Sequence, residues 1–279
     1  MNTSSLKFKI IVAVSLGIIV LAAANTTFQV REANRQLDQA VSALAASANQ
    51  EFSKLLEGEL SRLSLAIESL LQDGAAVSAF AQRDRDALLA RHADLYQRMR
   101  DEFDVAQYQW HVPPATSFLR FHRPERFDDD LSAFRATVVG TNRNQRPVRG
   151  LEVGRGGPGV RIVYPVFQSG RHIGSVELGG SINGLLQQLE TNLGIVYAVG
   201  IDPDVFRAAG RFADGNEDLM RDGLQYYRFS SDQSRMPLEQ TEALSGVVDF
   251  EDAQIALSTI ELLDYQEQKI GQIVVGSDV

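Results

Sequence analysis

The chain has 279 residues, with 27 basic and 36 acidic side chains and a net charge of −9. That balance, with no long arginine run, opposes binding to a phosphate backbone, so no nucleic-acid partner is expected. Cysteine is absent, which excludes disulfides, thiolate metal sites and cysteine nucleophiles together.

Ile10 to Val30 carry no charged side chain. About 20 residues at about 1.5 Å each match a hydrocarbon core of about 30 Å. Lys7 and Lys9 precede the run, which predicts a cytoplasmic segment over 1–9, a transmembrane helix over 10–30 and an exported remainder. Ala22-Ala23-Ala24 is small enough for a signal peptidase, but the uncharged run continues through Phe28, which favours an uncleaved anchor. An exported domain without disulfides must rely on its apolar core, a habit of bacterial envelopes.

From Glu32 to about Gln72 apolar residues recur at steps of three and four: Leu37, Val41, Leu44, Ala48, Phe52, Leu60, Leu63, Ile67 and Leu70. That spacing predicts one long helix, a stalk of about 60 Å that could pair with a second helix, with its upper half packed along its own domain. Asp73-Gly74 stops it, and a second helix is expected from about Ala75 to Phe103, with Arg83, Arg85, Arg91, Arg98 and Arg100 facing water. The two helices fill 31–104. The period then changes to two, predicting strands at 106–112, 117–122, 147–154, 160–167 and 172–179, with a helix over 129–142 between them and a hairpin at Gly170. These elements form one module, 105–181. A helix over 182–193 links it to a second strand set at 194–201, 224–230, 247–250, 254–263 and 269–276, making a module over 182–279. Arg211 to Gly223 reads as a surface loop or short helix. The order predicts an α+β protein with two antiparallel modules strung on one rod.

Gly154-Arg155-Gly156-Gly157-Pro158-Gly159 looks like a phosphate loop, but a strand follows rather than a helix, so it reads as a hairpin connection. No histidine pair has zinc spacing, and a metal would have to gather His111, His122 and Glu152 from separate strands. His92 and His172 read as solvent-facing. Asp128, Asp129 and Asp130 read as caps of the following helix. No nucleophile–base constellation supports an exported hydrolase, and neither enzyme activity nor a cofactor is expected.

The informative density lies between Trp110 and Gly179. Strand alternation places Phe118, Arg120 and His122 on one face, with Gln109 and His111 sharing a face by the same count. Glu152 and Glu177 join this polar side, opposite Trp110, Leu119, Phe121 and Val176. Converging groups of both signs, with an aromatic ring among them, suit a small charged ligand.

Trp110-His111-Val112-Pro113-Pro114, Ser117-Phe118-Leu119-Arg120-Phe121-His122-Arg123-Pro124, Phe127-Asp128-Asp129-Asp130-Leu131, Gly150-Leu151-Glu152-Val153-Gly154-Arg155 and His172-Ile173-Gly174-Ser175-Val176-Glu177-Leu178-Gly179 resemble the double Cache sensory family of bacterial chemoreceptors, diguanylate cyclases and sensor kinases. The resemblance implies a long amino-terminal helix, a membrane-distal and a membrane-proximal PAS-like module, and a small-molecule site in the distal one. Members continue into a second membrane helix and a cytoplasmic output domain, so a chain ending at Val279 is expected to be a fragment or to signal through a partner. Arg120, Arg135 and Arg161 are the expected anion contacts. His111 and His122 add hydrogen bonds, Glu152 and Glu177 could hold an ammonium, and Phe118 lines the site. The expected ligand is a carboxylate, amino acid or amine. The expected assembly is a stalk homodimer, single-pass in the inner membrane, sensing in the periplasm. The alternative is a non-sensing envelope scaffold acting through the stalk.

Overall fold

A computed structural model describes residues 3–211, 218–250 and 253–279. Thr3–Leu71 is one unbroken helix, α1, of 69 residues, about 100 Å long at 1.5 Å per residue. Its apolar side chains between Val14 and Val30 are all exposed, Leu21 to 72% and Phe28 to 67%. Among the described residues α1 alone is long and apolar enough to cross a membrane. Higher up, the three-and-four stripe turns inward: Ala48, Phe52, Leu60, Leu63, Ile67 and Leu70 are buried against the rest of the chain. That half of the expected helix-pairing seam is occupied by the protein's own sheets.

The second expected helix is two. Asp73 caps α2 (Gly74–Ala81), its carboxylate accepting from the amides of Ala75 and Ala76 at 3.1 and 3.3 Å. Arg83 then takes a positive φ of 59° and its guanidinium donates to the carbonyls of Phe80 and Ile173. Asp84 caps a new helix, α3 (Arg85–Phe103). No glycine or proline marks this break, so the sequence pattern runs through it. The buried face of α3 is Leu88, His92, Tyr96 and Met99. His92 therefore does not face solvent. Its Nδ1 meets the Tyr108 hydroxyl at 2.6 Å and its Nε2 meets Asp73 at 3.1 Å. His172 is half-buried against Phe167.

The first sheet comprises β1 (Gln107–Val112), β2 (Thr116–Arg120), β3 (Val148–Gly154), β4 (Gly157–Gln168) and β5 (Arg171–Ser181), in spatial order β2-β1-β5-β4-β3. Every pairing is antiparallel. One face packs on α1, α2 and α3 through Tyr108, Trp110, Leu119, Val176 and Leu178. The other carries α4 (Ala136–Asn144), seated through Val138 on Val163. The helix expected over 129–142 thus starts seven residues late. Residues 128–131 instead run as an extra backbone pairing beside β2, with the Asp128 amide donating to Ser117 and the Leu131 amide to Ala115. The aspartates do not cap α4, whose N-cap is Arg135.

After α5 (Asn183–Leu193) the second sheet follows: β6 (Val196–Ile201), β7 (Leu219–Arg221), β8 (Leu224–Phe229), β9 (Gly246–Phe250), β10 (Ala253–Leu263) and β11 (Lys269–Asp278), in order β7-β8-β6-β11-β10-β9. Two short helices escaped the periodicity: α6 (Pro203–Ala208), with proline in its first turn, and α7 (Asp232–Gln240). Within the segment expected as a loop or short helix, 212–217 lie outside the described residues, and Leu219–Arg221 is strand. One hydrophobic cluster runs continuously along α1, from Trp110 and Val176 in the first sheet to Val199, Ile260 and Ile273 in the second. The protein is α+β, with two antiparallel sheets sharing a helical spine.

Asp73 ties α2 to α3, capping the first and, on the second, pairing Arg91 at 2.7 Å and meeting buried His92. Asp73→Ala should lower unfolding free energy by about 2–3 kcal/mol, from the lost cap and an orphaned imidazole. Urea denaturation of the chain in detergent measures it.

Candidate functional site

The polar face of the first sheet is built around buried charge. β-register places Glu177 beside Gln109 on one side and Val163 on the other, with Glu152 two strands away on β3. Arg135, at the start of α4, reaches down between the two carboxylates. Its Nε donates to Glu152 at 2.9 Å and its Nη2 donates to Glu177 at short range. Glu152 also accepts from the Thr137 amide and hydroxyl, each at 3.0 Å. Burial alone would depress Arg135's proton affinity, but Glu177 and Glu152 override it and hold the guanidinium firmly charged. Burial alone would raise Glu177, yet Arg135, with Arg161 beside it, holds its carboxyl below the ordinary range.

Over this layer lies a cavity of about 500 Å³, walled by Arg120, Arg135 and Arg161 from below and by the β3–β4 hairpin at its rim. The loop after β2 supplies His122, Arg123, Arg126 and Asp129. Arg120 is closed upon itself in this setting. It holds Asp129 with two bonds of 2.7 Å, donates to the Arg126 carbonyl at 2.9 Å and reaches Gln109 at 3.1 Å. Asp129 is the ion-pair partner of a sheet arginine, a role its Asp128-Asp129-Asp130 context conceals. The hairpin Gly154–Gly157 is a turn between strands, as its sequence implies, and it also forms a wall of the cavity.

Of the eight residues singled out from sequence, Arg120, His122, Arg135 and Arg161 border the cavity. His111, Glu152 and Glu177 lie beneath it, His111 and Glu177 fully buried. His111 Nε2 faces Glu177 at 3.5 Å. Phe118 does not share a face with Arg120. The pairing slips between Trp110 and His111, leaving Phe118 as the extra residue between the Leu119 and Ser117 partners. Its ring stands edge-on to Phe80, centroids 5.1 Å apart, in the helix-side core. A bulge inverts alternation, and no residue type announces it. Glu152 and Glu177 are engaged by Arg135, so neither presents a carboxylate to an ammonium group in the cavity. Sequence reasoning missed Arg123, Arg126 and Asp129 as cavity residues: Arg123 and Asp129 lie within the quoted stretches, with Asp129 read as a helix cap, and Arg126 falls between them. Among the described residues no group of three histidine, aspartate or glutamate side chains gathers to hold a metal.

Paired antiparallel sheets threaded on one helix, with a solute-sized polar cavity over one of them, define a sensory-domain architecture. A family model described as "Double sensory domain of two-component sensor kinase" matches residues 39–279, and the chain belongs to this double Cache family. No curated protein sequence matches the chain. Among solved structures, the sensor domain of the Vibrio cholerae histidine kinase DctB is 10% identical, with 88% of this chain and 99% of that one covered at a TM-score of 0.54. The periplasmic domain of Vibrio cholerae LuxQ is 10% identical, covering 84% and 100%, TM-score 0.49. The ligand-binding domain of the Pseudomonas fluorescens chemoreceptor CtaA, solved with L-serine, is 12% identical, covering 88% and 98%, TM-score 0.43. At these identities the likeness is one of fold, and the DctB domain carries it.

Burial, reinforced by Arg135 and Arg120 at His111 and by Arg120, Arg123 and Arg161 at His122, pulls both imidazoles down to about 4 against the opposing charge of Glu177. The unfolded chain would protonate them near 6.5. Their contribution to stability is therefore complete above about pH 6.5 and is lost as pH falls toward about 4, at about 3 kcal/mol for buried His111. Denaturation midpoints between pH 4 and 7.5 should fall on acidification, with a shallower slope in His111→Gln. Removing the central guanidinium leaves two buried carboxylates facing each other. Arg135→Met should cost about 3–5 kcal/mol, and adding Glu152→Gln and Glu177→Gln should recover part of it in the same assay.

Proposed function

We propose that this chain is the sensory part of a membrane-anchored bacterial signal receptor, with a small charged solute bound in the cavity of the first sheet. The single observation that carries the reading is that cavity. It is of small-ligand size, half-closed, and walled by buried and half-buried arginine and histidine on a sheet face that a structural role alone would leave apolar or solvated.

The anchor is supported by the exposed apolar surface of α1 between Val14 and Val30, which lipid would cover, and by Lys7 and Lys9 on its amino side. In this reading the chain passes once through the inner membrane and holds its sheets in the periplasm, the first sheet farther out and the second nearer the bilayer. Two copies pair along the lower part of α1, where residues 32–36 have no cover from the sheets. A ligand that prefers one arrangement of the sheets on α1 shifts the population toward it, and signalling follows from that difference in affinity.

Thermal unfolding of the full chain in nanodiscs, against a panel of carboxylates, amino acids and amines, tests the reading. A true ligand at about 100 times its Kd adds about 2.7 kcal/mol and should raise Tm by about 5–10 °C. Arg120→Ala and Gly156→Trp, which remove a cavity wall and obstruct its rim, should each abolish the shift. A ligand that stabilises both variants unchanged would place binding elsewhere.

A further inference from the structure

The cavity carries a charge imbalance that its own carboxylates do not correct. Arg120, Arg123, Arg126, Arg135 and Arg161 border it, against one acidic residue among the described residues, Asp129. Counting Glu152 and Glu177 beneath the floor still leaves these five arginines two positive charges in excess among the described residues, inside a protein whose net charge is −9. Such a cavity with low-dielectric walls concentrates anions.

The arginines are not equivalent. Arg135 is neutralised by its two glutamates, and Arg120 is saturated by Asp129, Arg126 and Gln109. Arg161 differs. It is 7% exposed, yet among the described residues its guanidinium donates no hydrogen bond. Its one ion-pair partner is Glu177 at 3.7 Å, an oxygen it shares with Arg135. The group lies against the backbone of Gly159 and Gly179, where a Cβ on Gly159 would come within 3.0 Å of Nη2 and one on Gly179 would collide with Nη1. Two adjoining strands lack side chains where this arginine must lie flat. A buried, planar, five-donor cation with unused donors is built to take a planar or tetrahedral oxyanion through paired bonds.

Asp129 supplies the second half of the argument. Its side chain is 47% exposed, and it grips the 11%-exposed Arg120 in the two-bond geometry that a ligand carboxylate would use. The loop's backbone is independently pinned to β2 through Ser117 and Ala115, so the aspartate can swing away without unravelling it. Arg123 and Arg126 on the same loop make no ion pair among the described residues. Among the described residues, no carboxylate other than Asp129 borders the cavity to receive an ammonium group.

Resting on the sensory reading above, we infer that the ligand is a small organic dianion without an ammonium group, whose first anionic end seats on Arg161 and whose second displaces Asp129 from Arg120. Asp129 is then an internal carboxylate that competes with the ligand and sets the threshold concentration.

Titration calorimetry of the full chain in nanodiscs decides this, using linear dicarboxylates of two to six carbons, glycerol 3-phosphate, L-serine and ethanolamine. The expected result is saturable binding of at least one dianion and none of L-serine or ethanolamine; the dicarboxylate and phosphate arms distinguish which oxyanion is read. Arg161→Gln should weaken the dianion tenfold or more, with Arg161→Lys in between, since a point charge lacks the fork. Asp129→Asn, far from the buried layer, should tighten binding about fivefold. Binding of L-serine or ethanolamine to a site abolished by Gly156→Trp, with no dianion bound, would overturn the anion assignment while leaving the sensory reading standing. Binding of nothing in any class would overturn both. An Asp129→Asn variant that binds a dianion no more tightly would overturn the displacement step.

Discussion

Arg135, buried between Glu152 and Glu177, is the interaction on which the arrangement of the first sheet's polar face depends. Three charges taken out of water are tolerable only as a set, because each alone would carry a desolvation penalty that its neighbours now offset. The set joins the start of α4 to β3 and β5, so the position of α4 is determined by charge pairing at one end and by Val138 on Val163 along its length. Once Arg135 has taken both glutamates, Arg120, Arg123, Arg126 and Arg161 have, among the described residues, only Asp129 as an acidic neighbour at the cavity wall, with Glu177 3.7 Å from Arg161 beneath it. The same pairing that stabilises the floor makes the space above it cationic.

The cavity rim has a second neighbour. The β3–β4 hairpin presses on the second sheet's side of the molecule: Gly157, at φ 97°, sits where a side chain would strike the Tyr227 hydroxyl at 2.9 Å. Close by, the Tyr265 amide donates to the Leu151 carbonyl at 3.0 Å. Glycine is required at 157 both for that backbone angle and for the approach. The two sheets are therefore joined by α1 along their length and by the cavity's own wall at this contact. In a close-packed interior such junctions hold discrete arrangements rather than deforming continuously.

Histidine plays two parts in this chain, and burial separates them from their sequence context. His92 is a structural link between Asp73 and Tyr108. His111 sits under the cavity with Ser117 and Ser175 as its cross-strand neighbours, and His122 reaches the cavity itself. All three imidazoles are held neutral chiefly by burial. Neutral histidine leaves arginine as the source of positive charge around the cavity at ordinary pH.

What the chain's order of residues determined by itself is what depends on neighbours within a few positions. The uncharged run from Ile10 to Val30, the three-and-four stripe of α1, the alternating strands and the hairpin at Gly170 all follow from local periodicity and turn chemistry. Arg120, Glu152 and Glu177 were visible as polar groups sharing a sheet face, because alternation persists wherever register does. The tertiary structure alone decided where register fails and which distant groups meet. The slip that sends Phe118 to the helix side, the break at Arg83, the late start of α4 and the burial of His92 leave no local signature. Arg135 and Glu177 are 42 positions apart, and no periodicity specifies which of two carboxylates a guanidinium will reach. Charge pairing in a buried layer is settled by which groups exclude water together, and that is a property of the assembled fold.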